Sequence, residues 1–385
     1  MERLIAGYRG DGPAPALRDR DDVAAYAAYR MPATFQAVRA ALGALADAAP
    51  GWAPDSHLDV GGGTGAAVWA AAAVWPEDGP RPTVVLDHAE PALALGRELA
   101  AGAAAPAVRA AQWRREALGA AGAGSGRVRN QSADDNRYRR PGGSGGRPAD
   151  ASAGSPTGGS AHGPAVGSAD GTAGSAWAPA GLVTVSYVLG ELPEDVRREV
   201  VAEAARGARG AVVVVEPGTP DGYRRVLAAR QQLVDAGFEV LAPCPHSAAC
   251  PMEGTADWCH FAARVQRSAL HRRVKGGELG HEDEKFSYVA AVRPGGTAGA
   301  PAAARVVRHP QLRKGLVLLE LCTAGEGLAR TTVSKRQGPR YRAARDVRWG
   351  DAWPPPQDDG PAGGKAVARG DAPMDVKPLE RGRFE

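Results

Sequence analysis

The sequence predicts an α/β fold of Rossmann type, and three observations carry that expectation. Strand-like and helix-like segments alternate from residue 57 to about 110, and again from 182 to 236. A glycine-rich turn sits between the first strand and the first helix of that alternation. An acidic residue, Asp87, closes the second strand. Alternation of this kind implies a parallel sheet with crossover helices.

The elements follow in order. Residues 1–56 form an N-terminal helical region. Within 21–49, Val23, Tyr26, Phe35, Val38, Leu42 and Leu45 recur at helical spacing, and Pro32 divides a short helix from a longer one. His57–Val60 reads as a strand, 65–75 as a helix, Thr83–Asp87 as a strand and 90–103 as a helix. The pattern then stops. Residues 119–178 are dominated by Gly, Ala, Ser, Pro, Asp and Arg, too poor in aliphatics to offset chain entropy, and are expected to be a disordered insertion. The α/β pattern resumes with strand 182–187, helix 193–207, strand 211–215 and helix 220–236. The insertion therefore interrupts one Rossmann domain spanning 57–239.

Residues 240–293 change character, with three cysteines and a strand at 285–291 that completes the sheet. Pro294 to Ala304 is expected to be a flexible link. Residues 305–353 read as a small, basic, β-rich region whose clearest strand is Leu316–Leu321, and 354–385 as a disordered tail.

Composition bounds the function. The chain has 385 residues, enough for two modest domains, and its formal charge of +4 is too small to imply a nucleic-acid partner without regard to distribution. No run of 18 apolar residues exists, so no membrane span is expected. Met1-Glu2-Arg3-Leu4-Ile5 starts no apolar signal core, which reads as a soluble cytoplasmic protein. Four cysteines in a reducing compartment suggest metal or redox chemistry rather than disulfides.

Asp59-Val60-Gly61-Gly62-Gly63-Thr64-Gly65 fits D-x-G-x-G-x-G between strand and helix. Its spacing differs from the G-x-G-x-x-G dinucleotide fingerprint. It is the first motif of S-adenosylmethionine-dependent enzymes, so the fold expected is a class-I methyltransferase Rossmann-like fold. Asp59, Gly61, Gly63 and Gly65 are the candidate cofactor-binding residues. Asp87 is placed to accept both ribose hydroxyls, with Glu90 a weaker candidate. No catalytic loop is recognisable. The place after the fourth strand reads Ser186-Tyr187-Val188-Leu189-Gly190-Glu191, and no cysteine nucleophile lies in the Rossmann part.

Cys244, Cys250, Cys259 and Cys322 form C-x5-C-x8-C with the last cysteine 63 positions on. Four thiolates suit a tetrahedral zinc or a [4Fe–4S] cluster. Structural zinc commonly uses tight C-x2-C pairs, so the wider spacing leans towards a cluster. His246 and His260 sit beside these cysteines as groups that support the ligands or face RNA.

The stretch Cys244-Pro245-His246-Ser247-Ala248-Ala249-Cys250-Pro251, followed by Asp257-Trp258-Cys259-His260-Phe261, resembles the methyltransferase-like family of small-ribosomal-subunit proteins. That family is known in mitochondria as assembly factors and is present in many bacteria. Arg30–Thr34, Asp59–Gly65, Ser186–Leu192, Lys285–Tyr288, Leu321–Thr323 and Trp349–Asp351 also match, so the likeness covers about 20–110 and 180–353. The resemblance implies a [4Fe–4S] cluster on the four cysteines and association with small-subunit rRNA; the protein is expected to be monomeric off the ribosome. Arg264, Arg267, Arg272, Arg273 and Lys275 follow the third cysteine, and Arg305, Arg308, Arg313, Lys314, Lys335, Arg336, Arg340, Arg342, Arg345 and Arg348 populate the C-terminal region. Such a bias fits phosphate contact, with His309 and Tyr341 available to stack on bases. Two readings follow: an rRNA-binding assembly or maturation factor on a methyltransferase scaffold, or an active methyltransferase. A zinc-stabilised small-molecule methyltransferase is a third.

Overall fold

The computed structural model describes residues 20–76, 81–118, 177–267, 272, 280–295, 297 and 299–355. The N-terminal helices are α1 (Arg20–Tyr29) and α2 (Met31–Ala48), separated at Arg30 with Pro32 in the first turn of α2, as the proline position predicts. Phe35, Val38, Leu42 and Leu45 recur every three or four residues along α2 and are all buried. Burying a leucine of this kind stabilises the fold by about 2 kcal/mol.

The large sheet contains β1 (His57–Val60), β2 (Thr83–Asp87), β3 (Gln112–Arg115), β4 (Ala180–Ser186), β5 (Ala208–Pro217), β6 (Glu239–Ala242), β7 (Phe261–Gln266) and β8 (His281–Val292). The strand order is β3-β2-β1-β4-β5-β8-β6, with β7 paired to β8. Strands β1 to β5 run parallel, whereas β8 lies antiparallel between β5 and β6. Five parallel strands followed by an antiparallel strand wedged before the last parallel one is the class-I methyltransferase arrangement. It brings the cysteine-rich segment into the same sheet as the glycine turn.

The crossover helices are α3 (Ala66–Val74), α4 (Glu90–Ala101), the short α5 (Pro106–Arg109), α6 (Glu194–Gly207) and α7 (Pro220–Asp235). One core packs α2, α3 and α4 on one face of the sheet, and a second packs α6 and α7 on the other. Helix α7 starts at a side-chain cap: Thr219 accepts a hydrogen bond from the Gly222 N–H at 3.1 Å.

A second, five-stranded sheet follows, built from β9 (Ala304–Val306), β10 (Gln311–Arg313), β11 (Leu316–Thr323), β12 (Gly327–Ser334) and β13 (Ala352–Trp353). Val317, Leu319 and Leu321 alternate inward along β11 and meet Val333, Trp353 and Ala344 of helix α8 (Pro339–Asp346).

Some expectations need correction. Strand β3 lies where the pattern was read as ending, because it is an edge strand with three exposed residues and no apolar alternation. Trp177 and the residue after it, placed in the disordered insertion, are ordered. Trp177 is buried and its indole N–H donates to Glu116 at 2.9 Å. The rest of the insertion, and the tail from 356, lie outside the described residues. The link after Pro294 is not free, since the Ala300 N–H donates to the Ala48 carbonyl at 3.0 Å. Helix α8 interrupts the β-rich region. Among the described residues no helix is long and apolar enough to cross a membrane.

Candidate cofactor turn and cysteine centre

The glycine turn leaves β1 with positive φ at Gly61, Gly63 and Gly65. At Gly65 a Cβ would fall 2.4 Å from the Trp113 ring, so backbone torsion and close approach both require glycine. At Gly63 the space is open, and a Cβ there would meet nothing nearer than Asp87 Oδ2 at 3.8 Å. Asp87 closes the turn: its Oδ2 accepts from the Gly63 N–H at 2.9 Å and its Oδ1 from the Ala89 N–H at 2.8 Å. A carboxylate has about four acceptor directions, so it can accept further bonds from a ligand. Glu90 is instead paired with Arg97 at 2.6 Å.

Asp59 is the interior member of the turn. It is fully buried beneath the turn, where its Oδ1 accepts from the Thr184 hydroxyl at 2.7 Å. The Thr184 oxygen in turn lies 2.8 Å from His57 Nε2. Burial lifts the Asp59 carboxyl to about 7, against the Thr184 bond that lowers it, and burial drops His57 to about 3. This interior chain props the turn from below, and the second Asp59 oxygen, Oδ2, is buried there without a hydrogen-bond partner.

Beside the turn lies a polar group that sequence reasoning missed. Tyr187, directly after β4, has a positive φ of 59°, a conformation that costs roughly 1 kcal/mol or more for a non-glycine residue. Its hydroxyl donates to Glu284 Oε1 at 3.1 Å. Glu284 also takes both arms of Arg30, at 2.9 and 3.2 Å. The Arg30 guanidinium lies 5.7 Å from the centre of the Tyr187 ring. Helix start, strand β4 and strand β8 therefore meet in one clamp. The position of Arg30 and Tyr187 in family-like stretches was the available signal; Glu284 had none, because only the antiparallel β8 brings it here. Glu191, nearby, is pushed to about 7 by burial and by Asp87 and Glu216. Glu216 is fully buried, accepting from Arg225 Nε at 2.6 Å and the Leu189 N–H at 3.1 Å.

The four cysteines come from three places: the loop after β6, the loop before β7, and β11. All four line one small pocket, with Met252, Val307 and Arg305. All are free thiols. Burial raises the Cys259 thiol well above its usual value, and Cys244, Cys250 and Cys322 push it further. Cys322 is pushed up to about 12 by burial and then by Cys244 and Cys250. Cys244 is raised by burial, with Cys250 adding and Arg230 and Arg305 opposing. Four anionic sulfurs repel one another here, so a bound cation is what would make their ionisation favourable. Among the described residues no three Cys, His, Asp or Glu side chains are grouped as a ready-made metal site.

The surroundings are specific. Arg230, itself buried, donates to the His246 and Ala248 carbonyls at 2.9 and 2.6 Å, shaping the loop between Cys244 and Cys250. Arg305 donates to the Pro243 carbonyl at 2.8 Å. His246 Nε2 lies 3.8 Å from the Cys322 sulfur. His260 is buried and stacks on Trp258 at 5.1 Å between ring centres, so it supports the cysteine loop and does not face RNA.

The basic residues divide in the same way. Arg264, Arg267 and Arg308 are paired with Asp283, Glu282 and Asp257, and Arg305 is buried. Tyr341 packs against the core of the small sheet, and His309 sits edge-on to Trp349 at 4.8 Å. Arg273 and Lys275 lie outside the described residues. Of the remaining described ones, Arg272 is exposed beyond β7, and Arg313, Lys314, Lys335, Arg336, Arg340, Arg342, Arg345 and Arg348 are exposed at the end of β10, around α8 and just beyond it.

With this geometry in place, the comparisons decide the family. Residues 20–123 and 170–354 match the family described as mitochondrial small ribosomal subunit Rsm22. The chain belongs to the Rsm22 family. The human mitochondrial ribosome assembly protein METTL17 is 30% identical over 190 residues, which cover 45% of this chain and 39% of that protein. The Rsm22-cox11 tandem protein 2, mitochondrial, of Schizosaccharomyces pombe is 27% identical over 184 residues, covering 38% of this chain and 24% of its own. The chain thus matches only about a quarter to two-fifths of the length of these relatives. Their mitochondrial names overturn the expectation of a cytoplasmic protein, which rested only on the residues at the start of the chain. Among solved structures, magnesium protoporphyrin IX methyltransferase of Synechocystis with bound SAM overlaps 75% of this chain and 90% of its own, at 13% identity and a TM-score of 0.35. The fold assignment rests on the strand order and not on that overlap.

Proposed function

We propose that this Rsm22-family protein is an rRNA-binding assembly or maturation factor of the small ribosomal subunit, built on a methyltransferase scaffold. In this reading it binds S-adenosylmethionine at the glycine turn and a [4Fe–4S] cluster at Cys244, Cys250, Cys259 and Cys322. The observation that carries it is the convergence of four thiols, from segments up to 78 positions apart (244 to 322), on one pocket. The pocket fits a cluster better than zinc. All four cysteines line one pocket, and the wide C-x5-C-x8-C spacing of three of them lacks the tight C-x2-C pairs common in structural zinc sites. A cluster would supply electron-accepting iron and a rigid four-point cross-link. The chain's own residues hold the loops: Arg230 and Arg305 fix the carbonyls around Cys244 and Cys250, and Ser287 donates to the Cys259 carbonyl at 2.8 Å.

Open space beside Gly63 and the spare acceptor directions of Asp87 support cofactor binding. The scaffold reading is favoured over active methyl transfer because Tyr187, where an acceptor-orienting loop belongs, is tied to Glu284 and Arg30. The test is anaerobic purification with iron, acid-labile sulfide and bound nucleic acid measured together. The expected result is about four iron and four sulfide per chain, the content of that cluster type, with co-purified small-subunit rRNA. One tightly bound zinc and no sulfide rejects the cluster. Absence of rRNA from cluster-loaded protein rejects the partner.

A further inference from the structure

One face of α7 packs against the cysteine segment. Tyr223, Leu227 and Arg230 recur at i, i+4 and i+7, the spacing that puts them in line on a helix. Arg230 holds the Cys244–Cys250 loop by two carbonyls, and Leu227 packs beside Met252 and Val307. Tyr223 is buried in that same apolar cluster, and its hydroxyl lies 3.3 Å from the Cys250 sulfur. A phenylalanine would fill this space as well, so the oxygen asks for an explanation. A buried phenol needs a partner for its O–H, and the partner here is a sulfur. The helix start is held in place: Thr219 caps it, and the Trp258 indole N–H donates to the Gly218 carbonyl at 2.9 Å, which pins the turn leading into the helix that carries Tyr223 to the segment carrying Cys259.

We propose that Tyr223 is a positioning residue that donates a hydrogen bond to the Cys250 sulfur of the metal centre and thereby sets its reduction potential. This rests on the iron–sulfur reading above. Reduction adds an electron whose charge spreads onto the sulfurs. A donor aimed at one of them stabilises the reduced state, so the potential is higher with the hydroxyl than without it.

The test compares anaerobically loaded native protein with Tyr223→Phe and with Met252→Leu, which alters the same packing cluster but removes no donor. The expected result is full iron and sulfide in all three, a more negative potential for Tyr223→Phe alone, and faster loss of its cluster in air. An unmoved potential in loaded Tyr223→Phe overturns the proposal, and so does an equal shift in Met252→Leu, which would make packing the cause. If Tyr223→Phe takes up no iron, the native centre decides. Reduced in D2O, it must lose a coupled exchangeable proton from its electron–nuclear double resonance spectrum; an unchanged spectrum overturns the proposal. Native protein without iron and sulfide overturns the cluster reading itself, and this proposal with it. That outcome is distinct from loaded protein with an indifferent Tyr223.

Discussion

At the scale of single residues, the two aspartates of the cofactor turn separate by environment. Asp87 has its oxygens held by the Gly63 and Ala89 amides, so it shapes the turn, and its remaining acceptor directions are what the proposed cofactor would use. Asp87→Ala is expected to weaken S-adenosylmethionine binding by at least about tenfold, measured by calorimetry, the loss of one charge-assisted contact. Unaltered affinity in folded variant protein would remove Asp87 from the site. Asp59 is the opposite case. Its carboxyl rises from the usual 3.8 to about 7 on folding, which corresponds to a few kcal/mol at most, about 4 by the simple conversion. A raised folded value means that the folded state binds the proton more tightly. This contribution is fully present below about pH 4 and fades as pH rises through 7. Neutral His57, lowered to about 3, works in the reverse sense across the same range. Asp59→Asn should therefore gain stability relative to native protein between pH 4 and 7, read from paired urea melts. A difference that does not change with pH would show that Asp59 is ionised throughout.

At the scale of elements, α8 and the turn before it carry the exposed cations. Lys335, Arg336, Arg342 and Arg345 face solvent, while Arg264, Arg267 and Arg308 are occupied by carboxylates. Removing Arg342 and Arg345 together should weaken small-subunit rRNA binding and flatten its salt dependence by about 0.7–0.9 in log–log slope per lost phosphate contact. Arg264→Ala, which frees Asp283 but removes no free cation, should change affinity far less. Filter binding across a salt series separates the two, and equal effects would place the RNA surface elsewhere. The clamp of Arg30, Tyr187 and Glu284 also belongs to this scale, because it ties α2's entry to β4 and β8. It is part of why the space after β4 serves as structure here.

At the scale of the whole molecule, the cysteine centre is where the small sheet meets the large one. Cys322 sits in β11, opposite Leu328 of β12 and Arg305 of β9, while the other three cysteines flank β6 and β7. Removing the metal should loosen the small sheet while sparing the Rossmann part. Limited proteolysis of metal-free protein is expected to cut first within 299–355, and its rRNA affinity should fall. Gly63→Ala, which strains only the cofactor turn, should leave both unchanged. Identical cleavage of loaded and metal-free protein would show that the centre does not organise the small sheet.

What the sequence determined by itself was local. The helices around Pro32, the glycine turn, Asp87 and the strands β1, β2, β4 and β5 were legible because apolar periodicity and glycine placement act within a few residues. The four cysteines were legible as a set because thiols are few and chemically particular. Tertiary structure alone decided the rest. Edge strand β3 has no apolar signature, so only its pairing with β2 reveals it. The ion-paired arginines read the same as the free ones until β7 and β8 set Arg264 opposite Asp283. Glu284 reaches Arg30 across 254 positions, and Tyr223 reaches Cys250 across a helix and a strand. Partners of that kind depend on which way the sheet runs, since side chains distant in sequence meet only when strand order and direction bring their elements together.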